Sequence, residues 1–547
     1  MEQTGQRRSD ARELSHWGWG WADRFPPPEE RRALGELVCG LLGAGQVDLV
    51  EPVPLDQATI RPSRVTLPDT LRSFSTTDDA SRARAAHGRS FPDLVRGFVG
   101  DFTAAPDAVC QPETEEQVIA ALQWAEQSGV AVVPRGGGTS VTGGVDGSAI
   151  DRPWVSLELR RMNRLLEVDA ASRAVRVQGG ATGPELEAQL KAHGLTLRHF
   201  PQSWEFSTVG GWVATRAGGH FATVYTHIDE FVQSVRMVSP RGVWQSPRLP
   251  ASGAGPAWDR LVIGSEGILG IITEAWLRVQ TPPQYRSTAS IHFREYDDAV
   301  AAARALAQGH LHPSNCRLLD AREAMINAVT GDGSHVLIVG FESADCSTEP
   351  DMERALAICL ALGGSCPAGP KHRSGGARTG TEGAAGSWRE SFIDGPYRQN
   401  VLLSAGFIAD TFETATTWER FPALHADIVR SVRAAMQAQG GAGIISCRFT
   451  HVYPDGPAPY YTWIMPGDRS RLLEQWQVVK TAAADALRRH EATISHHHAV
   501  GRIHQPWYRQ ERPELFARML AASKRVADPA AVLNPGVLLA DDELERG

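Results

Sequence analysis

The sequence predicts an α+β protein with two main domains, and three observations lead there. Helix-like and strand-like patterns alternate at short spacing between residues 105 and 283. Pro282 and Pro283 then mark a linker, beyond which a second α+β region runs to about residue 480. Glycine-rich strings follow directly on strand-like runs, where a backbone can turn toward a ligand. At 547 residues the chain exceeds one ordinary domain. With 42% hydrophobic and 22% charged residues it can bury a core, which excludes disorder throughout. A net charge of −8 makes nucleic acid a poor partner. Seven Cys, an odd number without a CxxC pair, read as reduced buried thiols rather than a disulfide frame or zinc site.

Residues 1–104 form a polar, Trp-marked N-terminal helical segment. Thr114 can cap a helix, Gln117 can close a capping box, and Val118, Ala121, Leu122 and Ala125 fall on one helical face before Gly129 ends it. Val130–Val133 reads as a buried strand, as do Trp154–Leu159 and Ala174–Val177. A helix over Pro184–Ala192 stops at Gly194. Residues 284–480 form the second α+β domain. Within it Lys371–Ser387 carries five Gly and reads as a flexible loop, either a lid or an insert without a role. Residues 481–547 hold a helix over Ala482–Arg489, a His cluster, another helix and a Pro-bounded tail. No apolar run approaches the ~18 residues of a membrane span. The first residues hold no signal-like apolar stretch, and ELERG is not a peroxisomal address, so a cytoplasmic, bacterial location is expected.

The strongest chemical signal is Pro134-Arg-Gly-Gly-Gly-Thr-Ser-Val-Thr-Gly-Gly144. Consecutive glycines let backbone N–H groups converge on an anion, and the Ser and Thr hydroxyls add donors; a phosphate or pyrophosphate is the natural ligand. No GxGxxG occurs and no Lys follows a Gly, so the usual NAD and ATP loops are missing. Two further strings suit a large cofactor: Pro201–Gly211, continuing to Thr215–Gly219, and Ile263–Ala275.

These three strings, in this order and spacing, resemble FAD-binding domains of the vanillyl-alcohol oxidase, or PCMH-type, family. PQSWEFSTVGGWVATRAGG, MVSPRG (237–242) and GSEGILGIITEA resemble more specifically the alkyldihydroxyacetonephosphate synthases. The likeness extends to His16–Pro26, Pro313–Asp320, Asp410–Ala415 and Ser495–Arg502, and so spans nearly the whole chain. It implies a two-subdomain FAD-binding domain (105–283), an α+β cap or substrate domain, and a C-terminal helical segment returning to the flavin. By resemblance Pro134, Arg135, Gly136, Gly137, Gly138, Thr139 and Ser140, with Gly144, surround the FAD pyrophosphate. Gln202, Ser203, Glu205, Phe206, Ser207, Thr208 and Gly211, then Thr215, Arg216, Ala217 and Gly218, then Glu266, Gly267, Leu269, Gly270, Ile271 and Ile272 line the rest of the cofactor. Relatives that bind flavin covalently use a His where Thr139 stands, so FAD is expected to be non-covalent.

Three adjacent histidines, His496, His497 and His498, cannot all face one point, so no metal is expected; imidazoles suit proton transfer and anion binding. A Tyr in Val452–Tyr461 is by itself most simply a core ring. The resemblance makes Tyr460 the catalytic base, with Tyr461 as the alternative if the alignment slips by one. A phenol with a pKa of about 10 needs nearby cations to act so. Arg317 is implied as an active-site cation and Arg398, with Arg502, as substrate-binding; taken alone, each Arg reads as a surface ion pair. Two departures from the family pattern stand out. Ala499 and Arg502 replace Gly and Lys in an HHHGVGK-like string, and Gly218 stands where Ser is expected.

The resemblance implies an FAD-dependent exchange of the acyl group of acyl-dihydroxyacetone phosphate for a fatty alcohol, through a flavin N5 adduct, in ether lipid synthesis. Peripheral membrane contact and a homodimer are expected. The rival reading is an FAD-dependent oxidase or dehydrogenase of a 2-hydroxy acid or alcohol; a third is a flavin binder without catalysis.

Overall fold

The structure is a computed structural model. It describes residues 12–43, 46–375 and 383–545, with the side chains of 383–393 and 545 outside the description. Helix α1 (Pro28–Leu42) precedes the first sheet, and α2 (Phe91–Phe98) lies between that sheet's first two strands. That sheet holds β1 (Ser75–Thr76), β2 (Ala108–Cys110), β3 (Ala131–Arg135) and β4 (Trp154–Glu158) in the order β1-β2-β4-β3, parallel from β2 to β3. α3 (Glu115–Ser128) covers it. The Thr114 side chain accepts from Gln117 N–H, Gly129 closes the helix at φ +65°, and the buried residues are Val118, Ala121, Leu122 and Ala125, the predicted stripe.

A second, antiparallel sheet holds β5 (Leu165–Asp169), β6 (Ala174–Gln178), β7 (Val232–Ser239), β8 (Gly242–Gln245) and β9 (Ile271–Arg278) in the order β8-β7-β9-β6-β5. α4 (Gly183–Lys191) and α5 (Val209–Thr215) pack on it through Leu186, Leu190, Trp212 and Val213.

The third sheet contains β10 (Tyr285–Phe293), β11 (Asn315–Leu319), β12 (His335–Ser343), β13 (Lys371–Arg373), β14 (Phe407–Glu413), β15 (Ile444–Val452) and β16 (Pro457–Pro466). Its order is β13-β10-β12-β11-β15-β16-β14. One face carries Leu318, Leu337, Phe412, Tyr461 and Trp463. It is covered by α6 (Tyr296–Gln308), α7 (Glu349–Ala361), α9 (Phe421–Ala438) and α10 (Leu472–Arg489); α8 (Gly383–Ser404) leads into β14. Because side chains alternate along a strand, the residues between these point to the opposite face.

Two expectations change. α10 starts at Leu472, ten residues before the predicted start, because Trp476, Val479 and Ala483 continue its buried stripe. The Gly-rich segment is bounded by structure: Lys371–Arg373 pairs with β10 as an edge strand and α8 begins at Gly383, while 376–382 lie outside the described residues.

After α11 (Glu514–Ala527) the chain returns to the first sheet. Val132 N–H donates to Val532 O and Asn534 N–H to Val132 O, both at 2.8 Å. A buried pair holds this return: Lys524 Nζ lies 2.5 Å from Asp528 Oδ2, which also accepts from Leu533 N–H at 2.7 Å. Removing one partner of a buried pair leaves an uncompensated charge. Lys524→Met is therefore expected to cost about 3–5 kcal/mol, read as a lower urea midpoint against wild type.

Candidate active site

A cavity of about 390 Å³ lies between the glycine-rich loops and the polar face of the third sheet. The predicted residues Pro134 to Ser140, Gly144, Gln202, Ser203, Ser207, Thr208, Gly211, Thr215, Ala217, Gly218, Glu266, Gly267, Gly270, Ile271 and Ile272 line one part of it. Arg317, Arg398, Tyr460, His497 and His498 line the other.

The cradle fits FAD. The peptide N–H groups of Gly137, Gly138, Thr139 and Ser140 donate to no protein acceptor among the described residues, which leaves four donors for a pyrophosphate. The glycines are also sterically required: a Cβ on Gly136 would meet Thr208 Oγ1 at 2.1 Å, and one on Gly137 would meet the Phe206 carbonyl at 2.0 Å. Arg89, which sequence reasoning missed, lines the same loop. Its N–H donates to Ser140 O at 2.6 Å, and burial, with Arg135 nearby, pushes its guanidinium down to about 10.

Strand register assembles the opposing wall. Glu413 on β14, Tyr460 on β16 and Arg448 on β15 are direct cross-strand neighbours. The Arg448 guanidinium sits over the Tyr460 ring, 3.7 Å from its centroid, and its Nη1 meets Glu323 Oε1 at 2.7 Å. Tyr460 Oη donates to Thr411 Oγ1 at 3.0 Å. Tyr461 points the other way, its hydroxyl 3.1 Å from His425 Nδ1 and its ring stacked on Phe412, so Tyr460 is the cavity tyrosine.

Glu413 organises the histidine loop. Its carboxylate accepts from Ser495 Oγ at 2.8 Å and from the N–H groups of His496, His497 and His498 at 2.6, 3.1 and 2.9 Å. Burial by itself would raise this carboxyl; the facing His498 and His496, with these hydrogen bonds, outweigh it and hold it below the usual range. Burial, reinforced by neighbouring imidazoles, keeps His451, His496 and His497 well below the usual histidine range, and burial lowers His498 too.

Burial thus disfavours the charged form of all four imidazoles, while Glu413 favours it in His496 and His498. Burial raises Tyr460 as well, with Arg448 opposing it only in part. Arg317 is a second buried cation of this wall, beside Arg448; burial and then Arg448 push it down to about 9, and its Nη2 donates to His220 O at 3.3 Å.

Several predicted residues stand off the cavity wall. Glu205 accepts from Trp21 Nε1 at 2.6 Å, and the Phe206 ring packs edge-on against Trp21. Arg216 pairs with Asp229 at 3.2 Å and Leu269 is core. Arg502 is a clamp rather than a substrate contact, donating to Gly143 O at 2.9 Å and Pro535 O at 2.7 Å. His496 lines a second, open pocket with Arg216, Thr226, His227 and Tyr453. Arg135 reaches the cavity, but its guanidinium turns back to the carbonyls of Ala85 and His87. Ala499, the residue replacing Gly, sits at φ +68°, in the left-handed region that favours glycine.

Glu266 is the second anchor of the loop, accepting from Val500 and Gly501 N–H at 2.8 Å each. Burial raises its carboxyl to about 7 against those two bonds.

Residues 106–246 match the family described as FAD binding domain, and residues 282–538 the family described as FAD linked oxidases, C-terminal domain. The chain is 30% identical over 489 residues to an alkyldihydroxyacetonephosphate synthase of Dictyostelium discoideum, covering 86% of this chain and 79% of that one. It is 28% identical to the protein of that name from Trypanosoma brucei brucei, over 87% of this chain and 81% of the other. A solved alkyldihydroxyacetonephosphate synthase structure superposes with a TM-score of 0.80 at 24% identity, over 95% of this chain and 98% of that one.

A carboxyl raised in the fold stabilises it most below the unfolded pKa, and that contribution is lost as pH rises through the folded value. For Glu266 the window runs from its ordinary 4.5 to about 7. Wild type is therefore expected to lose stability relative to Glu266→Gln between about pH 5 and about pH 8, read by thermal unfolding of both across that range.

Proposed function

The chain belongs to the alkyldihydroxyacetonephosphate synthase family, and from that premise we propose that it exchanges the acyl group of an acyl-dihydroxyacetone phosphate for a fatty alcohol with FAD as cofactor. The observation that carries this reading is the cross-strand row Glu413, Tyr460, Arg448, which brings a phenol, a buried guanidinium group and the histidine loop to the wall facing the FAD cradle. Bound FAD supplies an electron-accepting ring that can take part in the exchange without net oxidation. Thr139 in the cradle supports non-covalent binding.

Arg398 and Arg317 bind the substrate phosphate and orient the ester. Tyr460 removes the proton from the carbon bearing the ester. Since burial keeps the phenol protonated, it acts as base only as its own proton finds an acceptor. The imidazoles of His497 and His498, which burial disfavours in the charged form, stand beside it, with ring centroids 6.0 and 5.4 Å away. The buried wall excludes bulk water, which would otherwise compete with the alcohol. Relatives carrying the synthase name over most of the chain favour this reading over an oxidase.

Both substrates are amphiphiles, and α11 exposes Leu515, Phe516, Met519 and Val526. This supports peripheral contact with a lipid surface. No helix among the described residues is long and apolar enough to cross a membrane.

Anaerobic addition of acyl-dihydroxyacetone phosphate is expected to bleach the visible flavin band, and a fatty alcohol to restore it; an unchanged band would overturn the substrate assignment. Tyr460→Phe is expected to lose at least about 100-fold in turnover. Arg398→Ala should raise KM for the phosphorylated substrate more than it lowers kcat.

A further inference from the structure

Replacing an acyl ester by an alkyl ether leaves one proton over. The bond from the glycerone carbon to the carboxylate oxygen breaks, and the bond from that carbon to the alcohol oxygen forms. The alcohol proton remains, because the released fatty acid is ionised at neutral pH. No electrons are gained or lost overall, so each turnover must export one proton from a buried site.

We propose that this proton leaves through a relay of His497, His496 and Tyr453 into the second pocket; the inference rests on the synthase reading. His497 lines the cavity. Its Nδ1 lies 3.0 Å from His496 Nδ1. His496 Nε2 lies 2.7 Å from Tyr453 Oη, which in turn lies 2.9 Å from Thr226 Oγ1. His496, Tyr453 and Thr226 all line the second, open pocket, which Asp229 and Glu230 line as well.

Every member of this chain can accept a proton on one side and donate one on the other. Burial keeps both imidazoles well below their usual range, so they pass a proton on rather than hold it. The backbone under both rings is pinned. His227 Nε2 meets His496 O at 2.8 Å, and Glu413 accepts from the N–H of both histidines. His451, His496 and His497 also bring ring nitrogens within 4.8 Å of one another, as a metal site would. Yet His451 already spends its two on Thr450 Oγ1 and Gly219 O, and His496 its two on the relay.

Tyr453→Phe removes one hydroxyl from this chain and keeps the ring. In the FAD-loaded enzyme kcat is expected to fall about tenfold with KM unchanged. The solvent deuterium isotope effect on kcat should rise, and added imidazole should restore part of the rate. Thr226→Val, one step further out, should show the same signs more weakly. An unchanged kcat, or a fall with neither a larger isotope effect nor rescue, overturns the relay. A second readout needs no turnover. With 15N-labelled histidine, Tyr453→Phe should shift both His496 Nε2 and His497 Nδ1, and a shift confined to His496 overturns it. If wild type performs no exchange, the synthase reading falls while the nitrogen spectra still decide the chain.

Discussion

One carboxylate, that of Glu413, fixes where the histidine loop stands. Four donors from Ser495 to His498 converge on it inside the protein, and an ionised carboxyl there would be very costly without them. Glu413 is also the cross-strand neighbour of Tyr460, which is the neighbour of Arg448. The same residue that seats the loop therefore sets the loop's distance from the phenol and the guanidinium. Ladder hydrogen bonds carry that setting through the sheet, and the apolar opposite face under α9 and α10 keeps it rigid.

A second carboxyl, Glu266, ties the far end of the loop to the flavin-binding part. Between the two anchors lies Ala499, held at positive φ where a Cβ is disfavoured by roughly 1–2 kcal/mol. The strain persists because hydrogen bonds on both sides over-determine the turn.

Much of this was legible in the sequence. The α3 cap and stripe, the glycine cradle and the choice of Tyr460 all follow from local pattern or family motifs. What escaped depends on pairing between distant segments. Arg448 and His451 sit on a strand with no motif of its own, and only the register with β16 and the packing around the loop bring them to the site. Glu413 lay inside the family-like string Asp410–Ala415, yet nothing in one strand says which carboxylate will meet a loop 82 residues later. Arg89 comes from the N-terminal segment, which spacing alone does not connect to the cradle. Arg502, Arg216 and Leu269 failed for the converse reason: each belongs to a matching string, but its side chain is used by the fold.

The return of the chain end to β3 has a bearing on biosynthesis. Val132 takes its partners from Val532 and Asn534, and Glu266 takes its own from Val500 and Gly501. A ribosome extending this chain thus releases a cradle whose last wall is still being translated. A chain cut before Val532 would leave Val132, in the strand that leads into the glycine cradle, without either of these backbone partners.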